Sequence, residues 1–253
     1  MEKIDKLLFP KNTLLATYRG SISHNTFIPS EEENSTDDVD LLGVFISPVD
    51  KYLGLCEYKE TVESFVGKYD IVNYEFLKMA RMLLAGNPNV ISILYLNKKH
   101  YIYKNFYGRA LIDNRDLFVS KHIYRRFTRY AENELKNMAK TEYQGYMGDK
   151  RKKLVKKYGF DLRHGCHCLR LLTMGKEFVE TGTLNVYREH DAQKFIDIKQ
   201  GRWTLDQVKA DAERLFKEAE EAYSKCKLPE EPQTEKVEKL VVEIMTDYIK
   251  QNT

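Results

Sequence analysis

Apolar and polar positions follow two regimes along this chain. Up to about residue 100 the apolar runs are short. Leu14-Leu15-Ala16-Thr17-Tyr18 ends at Arg19-Gly20 and predicts a buried strand running into a turn. Asp38-Val39-Asp40-Leu41-Leu42-Gly43-Val44-Phe45-Ile46 alternates and then turns continuously apolar, as in a strand that presents polar groups before entering a core. Tyr69-Asp70-Ile71-Val72 marks a third strand, and Phe76, Met79, Ala80, Leu83 and Leu84 recur at helical spacing until Gly86-Asn87-Pro88-Asn89 stops them. Between these elements, Pro29 to Asp37 reads as a solvated loop and Tyr52-Leu53-Gly54-Leu55 as a loop or small peripheral element. Beyond residue 110 the period becomes helical, over 117–140, 150–158, 162–180, 204–226 and 235–250, with Lys227-Leu228-Pro229-Glu230-Glu231-Pro232 separating the last two. The pattern predicts an α+β chain: a small mixed sheet with helices over residues 1–110, then a helical bundle over 111–253.

Composition agrees with a globular chain. Of 253 residues, 42% are hydrophobic and 31% charged, which excludes a disordered or fibrous protein. No apolar run approaches the roughly 20 residues of a membrane span, and no signal-peptide core precedes Lys11, so a cytoplasmic location is expected. Cys56, Cys166, Cys168 and Cys226 lack the two-to-four-residue knuckle of a structural zinc site and read as free thiols of a reducing compartment. A net charge of +3 is too mild to announce a nucleic-acid binder, but six of the eight residues from Lys150 to Lys157 are basic.

The acidic residues carry the chemistry. On a strand Asp38 and Asp40 would share a face, about 6.6 Å apart at Cα. Two carboxylates converging this way repel unless a cation lies between them, and Mg²⁺, or Mn²⁺ in its place, takes hard oxygen ligands. Asp70 on a neighbouring strand would supply a third. Gly20-Ser21, where the first strand turns, permits close backbone approach and offers a hydroxyl.

These residues together carry a resemblance. Leu15-Ala16-Thr17-Tyr18-Arg19-Gly20-Ser21, followed by Asp38-Val39-Asp40-Leu41-Leu42-Gly43, resembles the Gly-Ser to D-x-D signature of the DNA polymerase beta-like nucleotidyltransferase superfamily. Tyr69 to Glu75, Leu83 to Val90, Lys150-Arg151 and His164 to Arg170 look more narrowly like the nucleotidyltransferases associated with RNA ligases. The resemblance implies transfer of a nucleoside monophosphate from a nucleoside triphosphate to a hydroxyl or phosphate acceptor, such as an RNA end, with pyrophosphate released. By the same resemblance Gly20 and Ser21 would contact the triphosphate, Asp38 and Asp40 would bind both metal ions, and Asp70 would be the third catalytic carboxylate. One departure concerns spacing: sixteen residues lie between Ser21 and Asp38, longer than the family's usual interval, and the excess coincides with Glu31-Glu32-Glu33. A surface loop would absorb it at small entropic cost. Asp37 would point to the opposite strand face from Asp38.

Further candidates lie outside this constellation. Arg19 and His24 flank the Gly-Ser turn and could meet triphosphate, His24 equally filling a turn role. His164 and His167, three apart, share a helix face with Arg170 nearby, and suit phosphate or acceptor binding, a zinc pair without evident further ligands, or polar packing between helices. The basic run 150–157 is a substrate funnel or the wet side of an amphipathic helix. Trp203 stacks on a base or wedges between helices. Two functional alternatives stand beside the transferase: a non-catalytic nucleic-acid-binding module, and an enzyme that transfers AMP to a partner protein.

Overall fold

The computed structural model describes residues 4–55, 57–139 and 148–252; Cys56 lies outside them. Contacts group the chain into two compact units, Met1–Ser23 with Val39–Ser120 and Glu231–Thr253, and His24–Asp38 with Lys121–Glu230.

The first unit holds strands β1 (Thr13–Tyr18), β2 (Val39–Phe45), β3 (Thr61–Val66), β4 (Tyr69–Glu75) and β5 (Tyr101–Lys104), with helices α1 (Gly20–Ser23), α2 (Val49–Leu53), α3 (Phe76–Leu84), α4 (Pro88–Ile91) and α5 (Phe106–Asp113). The sheet order is β3-β4-β2-β1-β5; β2 and β4 run parallel and the other neighbours antiparallel. β1 is buried along its whole length, as its unbroken T-L-L-A-T-Y run requires of a strand flanked on both sides. Ala16, Tyr18, Leu41 and Ile71 line one face and pack on Ile4 and Phe9. Side chains alternate along a strand, so Asp40 and Asp70 stand on the opposite face. At the end of β4 the buried Glu75 starts α3: its carboxylate accepts from Leu77 and Lys78 N–H groups at 2.9 and 3.2 Å and from the Tyr52 hydroxyl at 2.5 Å.

In the second unit, α6 (Lys121–Met138), α7 (Asp149–Tyr158), α8 (Leu162–Thr181), α9 (Ala192–Lys199) and α10 (Leu205–Ser224) pack around α8. Asp161 caps α8 by accepting from the Arg163 and His164 N–H groups, and Arg151 pairs with the same carboxylate at 2.8 Å. Gly165 lets Met138, Phe160 and Val208 close on the helix.

The α+β order, sheet first and helices after, is present. The sequence pattern does not predict β3, α4, β5, α5 or α9. The compact units also exchange segments relative to a single cut at residue 110. The helix Thr234–Asn252 belongs with the sheet, where the Tyr107 hydroxyl donates to Asp247 at 2.7 Å. Residues 24–38 belong with the helices. Within the expected loop Pro29 to Asp37, Pro29 to Glu33 are exposed, but Ser35 and the Asp37 side chain are buried, so it is not solvated throughout. Among the described residues no helix is long and apolar enough to cross a membrane.

Candidate active site

The parallel register of β2 and β4 sets Asp40 directly beside Asp70. Arg19 Nη2 lies 3.8 Å from Asp40 Oδ1 and 3.6 Å from Asp70 Oδ2, so one guanidinium answers both carboxylates. The Asp40 side chain is 13% exposed and that of Asp70 43%, so the second acid is the more accessible to solvent. The Arg19 N–H also bonds the Asp40 carbonyl at 2.9 Å, extending the β1–β2 ladder by one residue.

Gly20 then turns the chain at φ +61°, and a Cβ there would stand 2.1 Å from Asp40 Oδ2. The carboxylate therefore rests on bare Cα, a contact that only glycine permits. Ser21 follows in α1. Arg19, Gly20, Asp40 and Asp70 are thus brought together, with Ser21 beside them.

Asp38 is placed differently from the expectation. The β2 ladder begins at Val39, paired with Tyr69, so Asp38 lies one residue outside the strand and is exposed; the same-face argument for Asp38 and Asp40 needs a strand through both. Asp37 serves the second unit: it accepts from the Ile28 N–H at 2.8 Å and pairs with Lys199.

His164, His167 and Arg170 occupy one side of α8. Glu134 of α6 takes both imidazoles, His164 Nδ1 at 2.5 Å and His167 Nδ1 at 3.2 Å. Burial alone would raise the Glu134 carboxyl, but the two histidines bring it down to about 2. Sequence reading missed this residue, although a signal existed: Phe127, Ala131 and Met138 form the buried stripe of α6, and an acid at 134 interrupts it. Because the folded value lies below the ordinary one, Glu134 stabilises the unit above about pH 4.5, and this contribution should fade as pH falls from there toward 2. Glu134→Gln should remove on the order of 1–3 kcal/mol of that acid-limb slope. Denaturation midpoints across pH 2–7 check it, and an unchanged slope would refute it.

His24 is buried in the second unit, donating from Nδ1 to the Val186 carbonyl at 3.0 Å and accepting at Nε2 from Arg170. Burial, with the Arg170 charge adding to it, holds this imidazole well below its usual range, so it is neutral. Burial also pushes the Cys168 thiol up to about 12 and the Cys166 thiol upward, away from the thiolate that a metal would need. Among the described residues no group of three or more His, Cys, Asp and Glu side chains is arranged as a metal cage, neither around His164 and His167 nor with Asp38, Asp40 and Asp70 as a set of three. Arg151 of the basic run is tied to Asp161 and Lys157 to Glu33 at 3.1 Å, while Trp203 is half-buried beneath Lys194.

A mixed sheet carrying paired acids, joined to a helical part, has the form of a nucleotidyltransferase-like protein of the polymerase-beta superfamily. Residues 11–243 match RlaP, the RNA repair pathway DNA polymerase beta family, and the chain belongs to that family. No curated protein matches the sequence. Among solved structures, a nucleotidyltransferase-like protein from Exiguobacterium sibiricum is similar at 11% identity and a TM-score of 0.34, over 85% of this chain and 72% of that one.

Proposed function

We propose that this protein is a magnesium-dependent nucleotidyltransferase that moves a nucleoside monophosphate from a nucleoside triphosphate to an acceptor, an RNA end, and releases pyrophosphate. The observation that carries the reading is the side-by-side placement of Asp40 and Asp70 over Gly20 with Arg19 between them. Mg²⁺ is ordinarily held by one or two carboxylates together with substrate phosphates, and a carboxylate pair is what β2 and β4 offer. Bound there, the ion would neutralise charge on the triphosphate and polarise its oxygens.

The chain's own residues supply the rest. Asp40, fixed by its contact with Gly20, holds the inner position; Asp38, exposed one residue before β2, would join the cation set only by turning toward it. Asp70, the more exposed of the pair, accepts the proton of the acceptor hydroxyl as its oxygen bonds to the α-phosphorus; the bond from that phosphorus to the bridging oxygen breaks, and pyrophosphate leaves with the electron pair. Arg19 exchanges its two carboxylates for triphosphate oxygens, which suit a planar guanidinium. Gly20 and Ser21 complete the phosphate side; residues 1–110 do the chemistry, and within 111–253 the helix that carries His164, His167 and Arg170 binds substrate. The family's association with RNA repair supports an RNA acceptor.

Asp40→Asn and Asp70→Asn should each lower transfer by about 10²-fold or more, the order lost when one preorganised electrostatic contact is removed. Labelled triphosphates, Mg²⁺ and RNA oligonucleotides provide the assay, with circular dichroism as the folding control. Folded variants that keep full turnover would end the proposal. Mass analysis after co-incubation with protein substrates separates transfer to protein, and RNA binding that persists while no triphosphate is turned over would favour a binding module.

A further inference from the structure

The half-buried and buried cations of the second unit differ in how they are answered. Arg188 pairs with Glu177 and Asp191, both at 2.5 Å, and Lys199 pairs with Asp37. Arg170 is different. Its Nη1 donates to His24 Nε2 and lies 3.9 Å from Met174 Sδ, and among the described residues no carboxylate pairs with it. Glu134 acts on it only at longer range, and a half-buried guanidinium without a bonded counter-ion favours an anion that completes it.

His24 cannot be that anion, because its imidazole is buried and neutral and already spends Nδ1 on Val186. It fixes one nitrogen of the guanidinium and leaves Nε and Nη2 with no bond to a described residue. His167 stands one turn earlier on α8, its side chain 27% exposed, with Nδ1 turned to Glu134. The ring's remaining nitrogen, Nε2, is therefore the one available to a ligand. Arg170 is itself partly exposed, so both groups are reachable.

We infer that His167 and Arg170 form a subsite for one phosphate monoester, the terminal phosphate of the acceptor strand. Two guanidinium N–H donors match the oxygens of a single tetrahedral phosphoryl group, which carries roughly −1.5 to −2 charge at neutral pH, and His167, whose Nδ1–H goes to Glu134, adds a third donor at Nε2 when the arriving dianion holds the ring protonated. A triphosphate would bring more charge than one guanidinium answers. Glu134 orients His167 as a positioning residue and keeps the subsite from being cationic enough to hold any polyanion. Identification of the ligand as the acceptor's end rests on the transferase reading; the phosphate subsite itself does not.

The test is direct binding without magnesium. Inorganic phosphate, ATP, and one RNA oligonucleotide with a 5′-phosphate, with a 3′-phosphate or with neither are titrated calorimetrically into the wild type, Arg170→Lys, Arg170→Gln, His167→Gln and Asp40→Asn. A phosphorylated end should bind about tenfold or more tightly than the unphosphorylated strand, the scale of one charge-assisted hydrogen bond. Inorganic phosphate should compete, and which end is preferred names the source. Arg170→Lys keeps the charge and loses the fork, and should lower that preference, as should His167→Gln, whereas Asp40→Asn should retain it even if transfer is lost. The inference is overturned if folded Arg170→Lys and His167→Gln keep the wild-type preference, if no preference exists, or if the Arg170 variants weaken ATP and leave the phosphorylated strand unaffected.

Discussion

Gly20→Ala should lower turnover by on the order of 10²- to 10³-fold, the loss seen when one fixed electrostatic contact to a transition state is displaced. Two separate effects meet at this residue. The backbone sits at φ +61°, where an L side chain costs about 1–2 kcal/mol, a loss most folds survive. The second effect concerns chemistry: the new methyl would stand 2.1 Å from Asp40 Oδ2, so the carboxylate must rotate away. Its Oδ1 is also the atom facing Arg19, so displacement changes the charge pairing of the whole site. Transfer assays at saturating triphosphate, run beside thermal unfolding, separate the two. A small loss of melting temperature with a large loss of turnover is expected. A variant that is destabilised but turns over normally would show that the position of the Asp40 carboxylate does not matter.

The same residue illustrates what local pattern can and cannot reveal. Gly20 and Asp40 were visible in the sequence because a turn glycine and a strand acid each leave a local mark. Their contact was not visible, since it depends on β1 and β2 pairing across residues 24–38, which fold with the other unit. Asp70 was legible as an acid on a short apolar run, but its register opposite Asp40 comes from the parallel pairing of β2 with β4. Strands β3 and β5 escaped for a different reason. β3 lies at the sheet edge with most of its residues exposed, and β5 has only the four residues Tyr101–Lys104, so neither writes a buried pattern. Long helices with a full apolar stripe, such as α8 and α10, were read to within two residues at each end. The eight-residue α9 was not, because two turns give too few repeats to establish a period.

Lys199→Met should destabilise the second unit by about 3–5 kcal/mol, the usual consequence of leaving one member of a buried ion pair alone. The Lys199 and Asp37 side chains are only 8% and 5% exposed, and 162 residues separate them in sequence, so neither reads locally as structural. Lys199 Nζ also donates to the Thr26 carbonyl at 2.8 Å, and Asp37 accepts from the Ile28 N–H at 2.8 Å. Removing the ammonium therefore leaves a buried carboxylate without its counter-charge and takes one donor from the Thr26 carbonyl. The physical reason for keeping the pair follows from its position: it fastens the segment between Gly20-Ser21 and Asp38-Asp40 to α9, which converts an over-long connection into a packed element. A double variant, Lys199→Met with Asp37→Asn, should recover most of the loss, since the amide removes the charge, still accepts from Ile28 and can donate to the Thr26 carbonyl. Urea unfolding of both variants measures the difference. If the single substitution costs less than about 1 kcal/mol, or the double variant is no more stable than the single one, the ion pair does not hold this segment and its length must be accommodated by other contacts.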